Sequence, residues 1–141
     1  MIIVDTGFWV ALINQQDTFH SLATNKLIEL TEKNERFITT CAVMTETSHL
    51  LLSRLGQHAQ MLFMQNYQAH SFEVFELKAI HAARIRELMQ KYSNLPMDLA
   101  DATLVVLAEQ LGHGRILSTD FHDFGIYRWN KIYPFINLMQ S

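Results

Sequence analysis

The sequence predicts an α/β fold of three layers, in which helices cover both faces of a mainly parallel sheet of roughly five strands. Two observations lead to this prediction. Short apolar segments that suit strands alternate with longer segments that suit helices along the whole chain. The first strand segment, at 1–4, is apolar at every position, which is typical of a parallel strand covered on both faces. We expect the 141 residues to form one domain, because no linker or repeat interrupts them.

The composition is that of an ordinary soluble protein. Hydrophobic residues make up 49% of the chain and charged residues 18%, so a sizeable core can form. The single cysteine excludes an intramolecular disulfide and a cysteine-based zinc site. No apolar run is long enough to cross a membrane and the start lacks the basic segment of a signal peptide, so we expect a cytoplasmic protein. Because the net charge is −3, a nucleic-acid partner would have to be attracted by a local site or a bound cation.

The first half of the chain is predicted to contain three strands, each followed by helical segments. Apolar positions in the helical segments recur at the three- and four-residue spacing of an amphipathic helix. Polar turn residues separate the segments, and Asp17 is expected to be the N-cap of the second helix. The strands are expected at 1–4, 36–40 and 71–76, and the helices at 8–13, 17–33, 42–54, 57–69 and 77–92.

The second half of the chain is organised around a helix predicted at 99–111. This helix is apolar on nearly every face and is therefore expected to be buried on most sides. Asp98 suits its N-cap, and Gly112 suits its C-terminal end. The remaining segments are predicted to be a strand at 115–118, a turn at 121–125 and a last strand at 133–138. Pro134 in that last strand favours a position at the edge of the sheet.

Acidic side chains occur where this fold would gather them at one edge of the sheet. Asp5 follows the first strand and Asp120 follows the fourth, and right-handed crossovers would make these strands neighbours. Asp101 lies in the first turn of the buried helix, and Glu46 lies toward the apolar face of the helix at 42–54. Because open α/β sheets bind ligands at the carboxyl ends of their strands, we expect the site at this edge.

Some of these carboxylates also have ordinary structural explanations. Asp5 could cap the helix at 8–13, and Asp98 could serve only as an N-cap. Asp101 lies beside a buried segment, where a charged group needs a partner. Several carboxylates in one cleft repel each other, and an all-oxygen site suits Mg²⁺ or Mn²⁺. Such an ion activates a bound water and clamps phosphodiester oxygens, so no serine, cysteine or histidine nucleophile is required.

Four segments of the chain, in this order and spacing, carry a resemblance to a known family. They are IIVDTGFWVAL, TTCAVMTETSHLL, LPMDLADATLVVLAEQLG and RILSTDFHDFGIYR. Through them the sequence resembles the PIN-domain ribonucleases, especially the toxins of VapBC-type toxin–antitoxin pairs. The resemblance implies a single PIN domain over residues 1–141 and an acidic quartet that holds Mg²⁺ or Mn²⁺. By this resemblance the quartet consists of Asp5, Glu46, Asp101 and Asp120.

The resemblance also gives an auxiliary role to four further positions: Thr6, Asp98, Thr119 and Asp123. Thr119 matches a hydroxyl position that often lies near the metal or the phosphate in the family. Gly7 departs from the family pattern, because many members carry a serine there. The role of that missing hydroxyl would fall to Thr6, to water or to nothing.

The implied chemistry is endonucleolytic hydrolysis of single-stranded or looped RNA, which leaves 5′-phosphate and 3′-hydroxyl ends. The resemblance further implies structured substrates such as tRNA, a homodimer, and an antitoxin peptide that silences the enzyme by lying across the acidic cleft. It leaves open whether one or two ions bind. It also leaves open whether the biological role is that of a toxin or of a general RNA-processing nuclease.

Other functional classes fit the sequence less well. A phosphatase with an aspartyl nucleophile needs a second acid two residues after Asp5, where this chain has Gly7. A receiver-type phosphorylation domain needs an acidic pair near the start and a lysine on a late strand, and neither is evident. The alternative that stays open is a PIN-like module that binds RNA or protein without cutting, although the complete quartet weighs against it.

Overall fold

The structure, a computed structural model, describes residues 1–140. The strands in this part of the chain are β1 (Ile2–Val4), β2 (Phe37–Thr40), β3 (Glu73–Phe75), β4 (Arg115–Leu117), β5 (Arg128–Trp129), β6 (Tyr133–Pro134) and β7 (Ile136–Asn137). Five of them form a parallel sheet in the order β3-β2-β1-β4-β7, while β5 and β6 form a separate antiparallel hairpin. The predicted α/β class with a mainly parallel, five-stranded sheet is confirmed.

Strand β1 lies at the centre of the sheet. All three of its residues have no exposed surface, and Ile3 lies opposite Ile38 of β2 on one side and Ile116 of β4 on the other. This burial on both faces explains why the strand is apolar at every position. Because β1 and β4 are parallel neighbours, the residues that follow them, Asp5 and Ser118, leave the sheet side by side.

Helices flank the sheet. They are α1 (Thr6–Ile13), α2 (His20–Glu32), α3 (Cys41–Leu55), α4 (Gln57–Gln68), α5 (Ala82–Lys91), α6 (Leu99–Leu111) and α7 (Phe121–Ile126), with short 3₁₀ turns at Ala79–His81 and Leu138–Gln140. Within residues 1–140, none of the helices combines the length and apolar character needed to cross a membrane.

Helix α6 has the bounds predicted from the sequence. The residues from Ala102 to Ala108 are all buried, which confirms the expectation of a helix covered on most sides. Asp98 is its N-cap, and the carboxylate accepts a hydrogen bond from the backbone N–H of Asp101 at 2.9 Å. Gly112 ends the helix with a φ of 78°, a left-handed conformation that glycine adopts without steric cost.

The segment 121–125 was predicted to be a turn, and this prediction is wrong because the segment forms α7. Asp120 caps this helix through a hydrogen bond from the backbone N–H of Asp123 to its carboxylate, at 3.0 Å. Phe124 is buried, and its ring packs edge-on against the rings of Tyr127 and Phe135. The cap and this burial stabilise a short helix that the local glycine and polar residues disfavour.

The strand predicted at 133–138 is also wrong as a single element. Phe135 is buried and divides it into two short strands. Tyr133–Pro134 pairs with β5 in the hairpin, and only Ile136–Asn137 joins the main sheet, beside β4. The expectation of an edge position holds for both parts, because β7 is the last strand of the main sheet and Pro134 lies in β6 of the two-stranded hairpin.

Asp17 is not the N-cap of the second helix. Helix α2 begins at His20, and the N-cap position is Phe19, which has no capping side chain. The carboxylate of Asp17 accepts a hydrogen bond from the backbone N–H of Phe19 at 2.8 Å, so it stabilises the turn that precedes the helix. The prediction placed the cap two residues too early, because this turn has the residue types of a capped helix start.

Candidate functional site: an acidic cleft

A cleft of about 440 Å³ opens where β1 and β4 end, and we call it the acidic cleft. Its lining includes all eight positions predicted from the sequence: Asp5, Thr6, Glu46, Asp98, Asp101, Thr119, Asp120 and Asp123. Asp17 and Arg54 also line it and were not predicted as site residues. Residues far apart in the sequence thus contribute seven carboxylates and one base to a single space.

Asp5 is the most buried of these acids, with 8% of its surface exposed. One carboxylate oxygen, Oδ1, accepts a hydrogen bond from the backbone N–H of Thr6 at 2.8 Å and caps α1. The other oxygen, Oδ2, accepts a hydrogen bond from the hydroxyl of Ser118 at 2.8 Å. The two roles considered for Asp5, helix cap and cleft residue, are therefore compatible.

Ser118 connects two of the acids and was missed in the sequence. Its side chain is fully buried, and its hydroxyl donates to Asp5 and accepts from the backbone N–H of Asp120 at 3.0 Å. The amide of Asn137 on β7 fixes the backbone of Ser118 from the other side. One sequence feature could have identified Ser118. It is a hydroxyl residue that directly follows a buried strand and lies two positions before Asp120.

Asp101 projects from the first turn of α6. Its Oδ2 atom accepts a hydrogen bond from the hydroxyl of Tyr127 at 3.2 Å. Its backbone N–H is held by the capping carboxylate of Asp98, so the two acids lie on the same helix turn. Tyr127 is a second residue that the sequence did not identify, because it comes from the segment after α7.

Asp120 and Asp123 are linked through α7. Asp120 accepts the hydrogen bond from the backbone N–H of Asp123 that begins this helix. Asp123 contacts the imidazole of the exposed His122 at 2.9 Å. Asp98 thus caps α6 beside Asp101, and Asp123 lies beside Asp120, to which its backbone N–H donates; both positions are compatible with the auxiliary role predicted for them.

Glu46 and Arg54 reach the cleft from α3. Glu46 is half-buried and Arg54 is exposed. Neither forms a hydrogen bond or an ion pair with another side chain in residues 1–140. The cleft therefore contains an unpaired acid and an unpaired base, both of which are free to meet a ligand.

Burial and mutual repulsion disfavour charge on the acids in this cleft. Burial raises the pKa of Asp5 to about 6, although hydrogen bonds from Ser118 and Thr6 oppose the shift and the charges on Glu46 and Asp120 add to it. Burial, with repulsion from Asp98 and Asp5, raises the pKa of Asp101 to about 8. Burial also raises the pKa of Asp120. A cation in the cleft would stabilise the charged forms.

Three observations bear on whether the cleft suits a divalent ion. The hydroxyl of Thr6 is buried and has no hydrogen-bond partner among residues 1–140. No lysine or arginine in the described chain pairs with the four predicted acids. In the same residues, no three His, Cys, Asp or Glu side chains form a ready-made set of ligands. The donors therefore fit Mg²⁺ or Mn²⁺ that keeps several waters and binds one or two carboxylates directly.

A close approach of α1 to the loop after β4 shapes one wall of the cleft. A Cβ atom at position 7 would lie 1.9 Å from the hydroxyl oxygen of Thr119. Glycine at position 7 avoids this clash, because the Thr119 side chain occupies the space that another side chain would need. A hydroxyl is thus present at this wall, and residue 119 supplies it rather than residue 7.

The family model for the PIN domain matches residues 2–125. The chain belongs to the PIN domain family. The matched segment contains every acid of the cleft, from Asp5 to Asp123, whereas Tyr127 lies beyond it. The resemblance seen in the sequence is therefore confirmed over most of the chain.

Two VapC proteins are similar to this PIN domain. Ribonuclease VapC26 of Mycobacterium tuberculosis (strain ATCC 25618 / H37Rv) is 23% identical over 127 residues, which cover 90% of this chain and 92% of that protein. The crystal structure of Mycobacterium tuberculosis VapC20, described as a sarcin-ricin loop cleaving toxin, matches with a TM-score of 0.75 and 24% identity. It covers 86% of this chain and 92% of that chain, and this likeness shows the shared fold.

Proposed function

We propose that this PIN domain is an endoribonuclease that depends on Mg²⁺ or Mn²⁺. One observation carries the proposal: the acidic cleft gathers Asp5, Glu46, Asp101 and Asp120, and no lysine or arginine in residues 1–140 neutralises them. Family membership and the likeness to Ribonuclease VapC26 support RNA as the substrate. A divalent ion held by these acids would offset the repulsion among them and would supply positive charge toward an RNA phosphate, in a protein whose net charge is −3.

In this proposal, an ion in the cleft would supply the positive charge needed to activate a water molecule and to offset the charge on the phosphate. Asp5 contributes a carboxylate whose orientation the backbone of Thr6 and the hydroxyl of Ser118 maintain. Asp101, Asp120 and Glu46 line the same cleft, so each would hold the ion either directly or through one of its waters. Hydrolysis adds water across the bond between phosphorus and the 3′ oxygen. The 3′ oxygen takes up a proton, and the products carry 5′-phosphate and 3′-hydroxyl ends.

We infer that the biological role is that of a toxin in a toxin–antitoxin pair, since two VapC proteins are similar to this chain over most of their length. The partners would then be a structured RNA such as tRNA and an antitoxin protein, and the functional unit would be a homodimer of a single domain spanning residues 1–141. Expression should arrest bacterial growth, and Asp101→Ala should relieve the arrest. If the protein cuts RNA in vitro but its expression does not arrest growth, the result would favour a general RNA-processing nuclease.

The nuclease proposal is tested by incubating the purified protein with a mixed RNA pool and Mn²⁺. We expect cleavage with Mn²⁺ and none with a chelator. Asp5→Asn should reduce the rate by at least about 100-fold, the scale of removing one electrostatic group from an active site. Glu32→Gln is the matched control, because it removes the same charge from an exposed position on α2 outside the cleft, and it should cleave like the wild type.

Two results would contradict the nuclease proposal. Equal cleavage by wild type and Asp5→Asn would show that the activity belongs to a contaminant or to another site. RNA binding without cleavage at any Mn²⁺ concentration would favour a PIN-like binding module. This second function, binding without cleavage, is considered because no three side chains in residues 1–140 form a ready-made set of metal ligands.

A further inference from the structure

Tyr127 stands out among the residues around the cleft because its position is fixed but the described chemistry gives it no task. Its side chain has no exposed surface. Its ring packs edge-on against Phe124, with ring centres 5.1 Å apart, and against Tyr92, with ring centres 5.0 Å apart. These contacts leave the ring no room to swing, so the hydroxyl points to one place.

That place is the carboxylate of Asp101. The hydroxyl of Tyr127 donates to Oδ2 of Asp101 at 3.2 Å, and within residues 1–140 no other side chain donates a hydrogen bond to this carboxylate. Asp5 differs, because separate donors hold both of its oxygens. Among the side chains of residues 1–140, Tyr127 is therefore the one that orients Asp101 by a hydrogen bond, beside a contribution from the backbone of Asp98.

We propose that Tyr127 is a positioning residue whose hydroxyl holds the Asp101 carboxylate in the orientation that receives the divalent ion. The proposal rests on the nuclease function proposed above and adds a residue outside the segment that the family model matches. Carboxylates that bind metal ions are commonly held by a second hydrogen-bonding group, and removal of that group typically lowers metal affinity by about 10–100-fold. Tyr127 has the burial, the donor and the contact of such a group.

The test compares Tyr127→Phe with Tyr92→Phe. Both substitutions remove a hydroxyl from a buried tyrosine ring in the same cluster, but the hydroxyl of Tyr92 accepts a hydrogen bond from the backbone of Arg128 and does not contact an acid. Mn²⁺ binding is measured without RNA, by calorimetry or by the spin-resonance signal of free Mn²⁺. We expect the dissociation constant to rise about tenfold in Tyr127→Phe and to stay unchanged in Tyr92→Phe.

A double variant shows whether Tyr127 acts through Asp101. In the Asp101→Ala background, we expect Tyr127→Phe to change Mn²⁺ affinity by less than about twofold, because residues that act through one contact do not have additive effects. A further large loss of affinity in that background would overturn the proposal. This cycle also serves if Tyr127→Phe alone folds poorly, since removing both partners leaves no buried acceptor unpaired.

The remaining outcomes separate the two proposals. If the wild type binds Mn²⁺ and cuts RNA while Tyr127→Phe binds Mn²⁺ equally well, the positioning role is wrong and the nuclease function stands. If the wild type binds no Mn²⁺, both proposals are wrong. If Tyr127→Phe and Tyr92→Phe lose the same affinity, the effect comes from packing and the positioning role is again wrong.

Discussion

Arg54 is exposed and unpaired beside seven carboxylates, a cationic residue in an otherwise acidic lining. An arginine next to so many acids would be expected to form an ion pair, but it forms none in the described chain. Guanidinium groups bind phosphate oxygens through two parallel hydrogen bonds. Arg54 is therefore well placed to contact a phosphate of the proposed RNA substrate.

We predict that Arg54→Ala raises the KM for RNA about tenfold and leaves kcat nearly unchanged, because a charge-assisted hydrogen bond to the bound substrate is lost. The slope of the logarithm of RNA affinity against the logarithm of salt concentration should become shallower by about one, which corresponds to the loss of one phosphate contact. Arg86→Ala is the matched control, since Arg86 is exposed on α5 and does not line the acidic cleft. The prediction fails if both variants have the same KM.

At this scale, the sequence identifies the acids but not the groups that orient them. An aspartate after an apolar strand, such as Asp5, can be recognised from local pattern alone. Ser118 and Tyr127 act across 113 and 26 positions of the chain, and local pattern does not contain those contacts. A hydroxyl is recognised as a functional group only when the fold shows what it faces.

At the scale of the elements, helix α1 and the loop after β4 approach each other closely at Gly7 and Thr119, which both line the cleft. Alanine normally stabilises a helix relative to glycine by about 1 kcal/mol. At position 7 the added methyl group would lie 1.9 Å from the Thr119 oxygen and 3.2 Å from its Cβ. The steric effect therefore opposes the helix propensity, and it should dominate.

We predict that Gly7→Ala lowers the free energy of unfolding by about 1–3 kcal/mol, the usual range for overpacking, as measured by urea denaturation. Gly125→Ala in α7 is the matched control, because nothing lies within 4 Å of its added methyl group, and it should leave stability unchanged or slightly higher. The double variant Gly7→Ala/Thr119→Ala should recover most of the loss. Equal stability of the two single alanine variants would contradict the predicted clash.

The elements themselves differ in how far the sequence predicts them. Helix α6 is predicted to the residue, because its cap, its apolar length and its terminal glycine agree. Helix α7 and the division of the last strand are missed, because a six-residue helix and two-residue strands show no period. Their formation depends on tertiary contacts such as the packing of Phe124 and Phe135.

The whole molecule should respond to pH through the acids that it buries. Burial raises the pKa of Asp5 from 3.8 to about 6 and that of Asp101 from 3.8 to about 8. At pH values between the ordinary and the raised pKa of each acid, the folded state binds more protons than the unfolded state. Both acids therefore lower the free energy of unfolding as pH rises. His113 acts in the opposite direction, because burial lowers its pKa.

We predict that, without metal, Asp5→Asn is more stable than the wild type at pH 8, and that this advantage shrinks toward pH 4. The Asp5 contribution across this range is on the order of 3 kcal/mol. Urea denaturation at a series of pH values in chelator measures it, and Glu32→Gln, an exposed acid, should follow the wild type. Mn²⁺ should raise the stability of the wild type at pH 8 and have little effect on Asp5→Asn. An Asp5→Asn advantage that does not depend on pH would contradict this explanation.

The central position of β1 has a consequence for the protein while it is being made. Strand β1 leaves the ribosome before its neighbour β4 and before the hydroxyl that meets Asp5, which lie 113 positions later in the chain. A nascent chain therefore carries Asp5 through the synthesis of all the intervening residues without the partner strand that completes its surroundings. The acidic cleft can therefore assemble only after β4 and Ser118 have emerged, so the proposed nuclease activity cannot begin before that point.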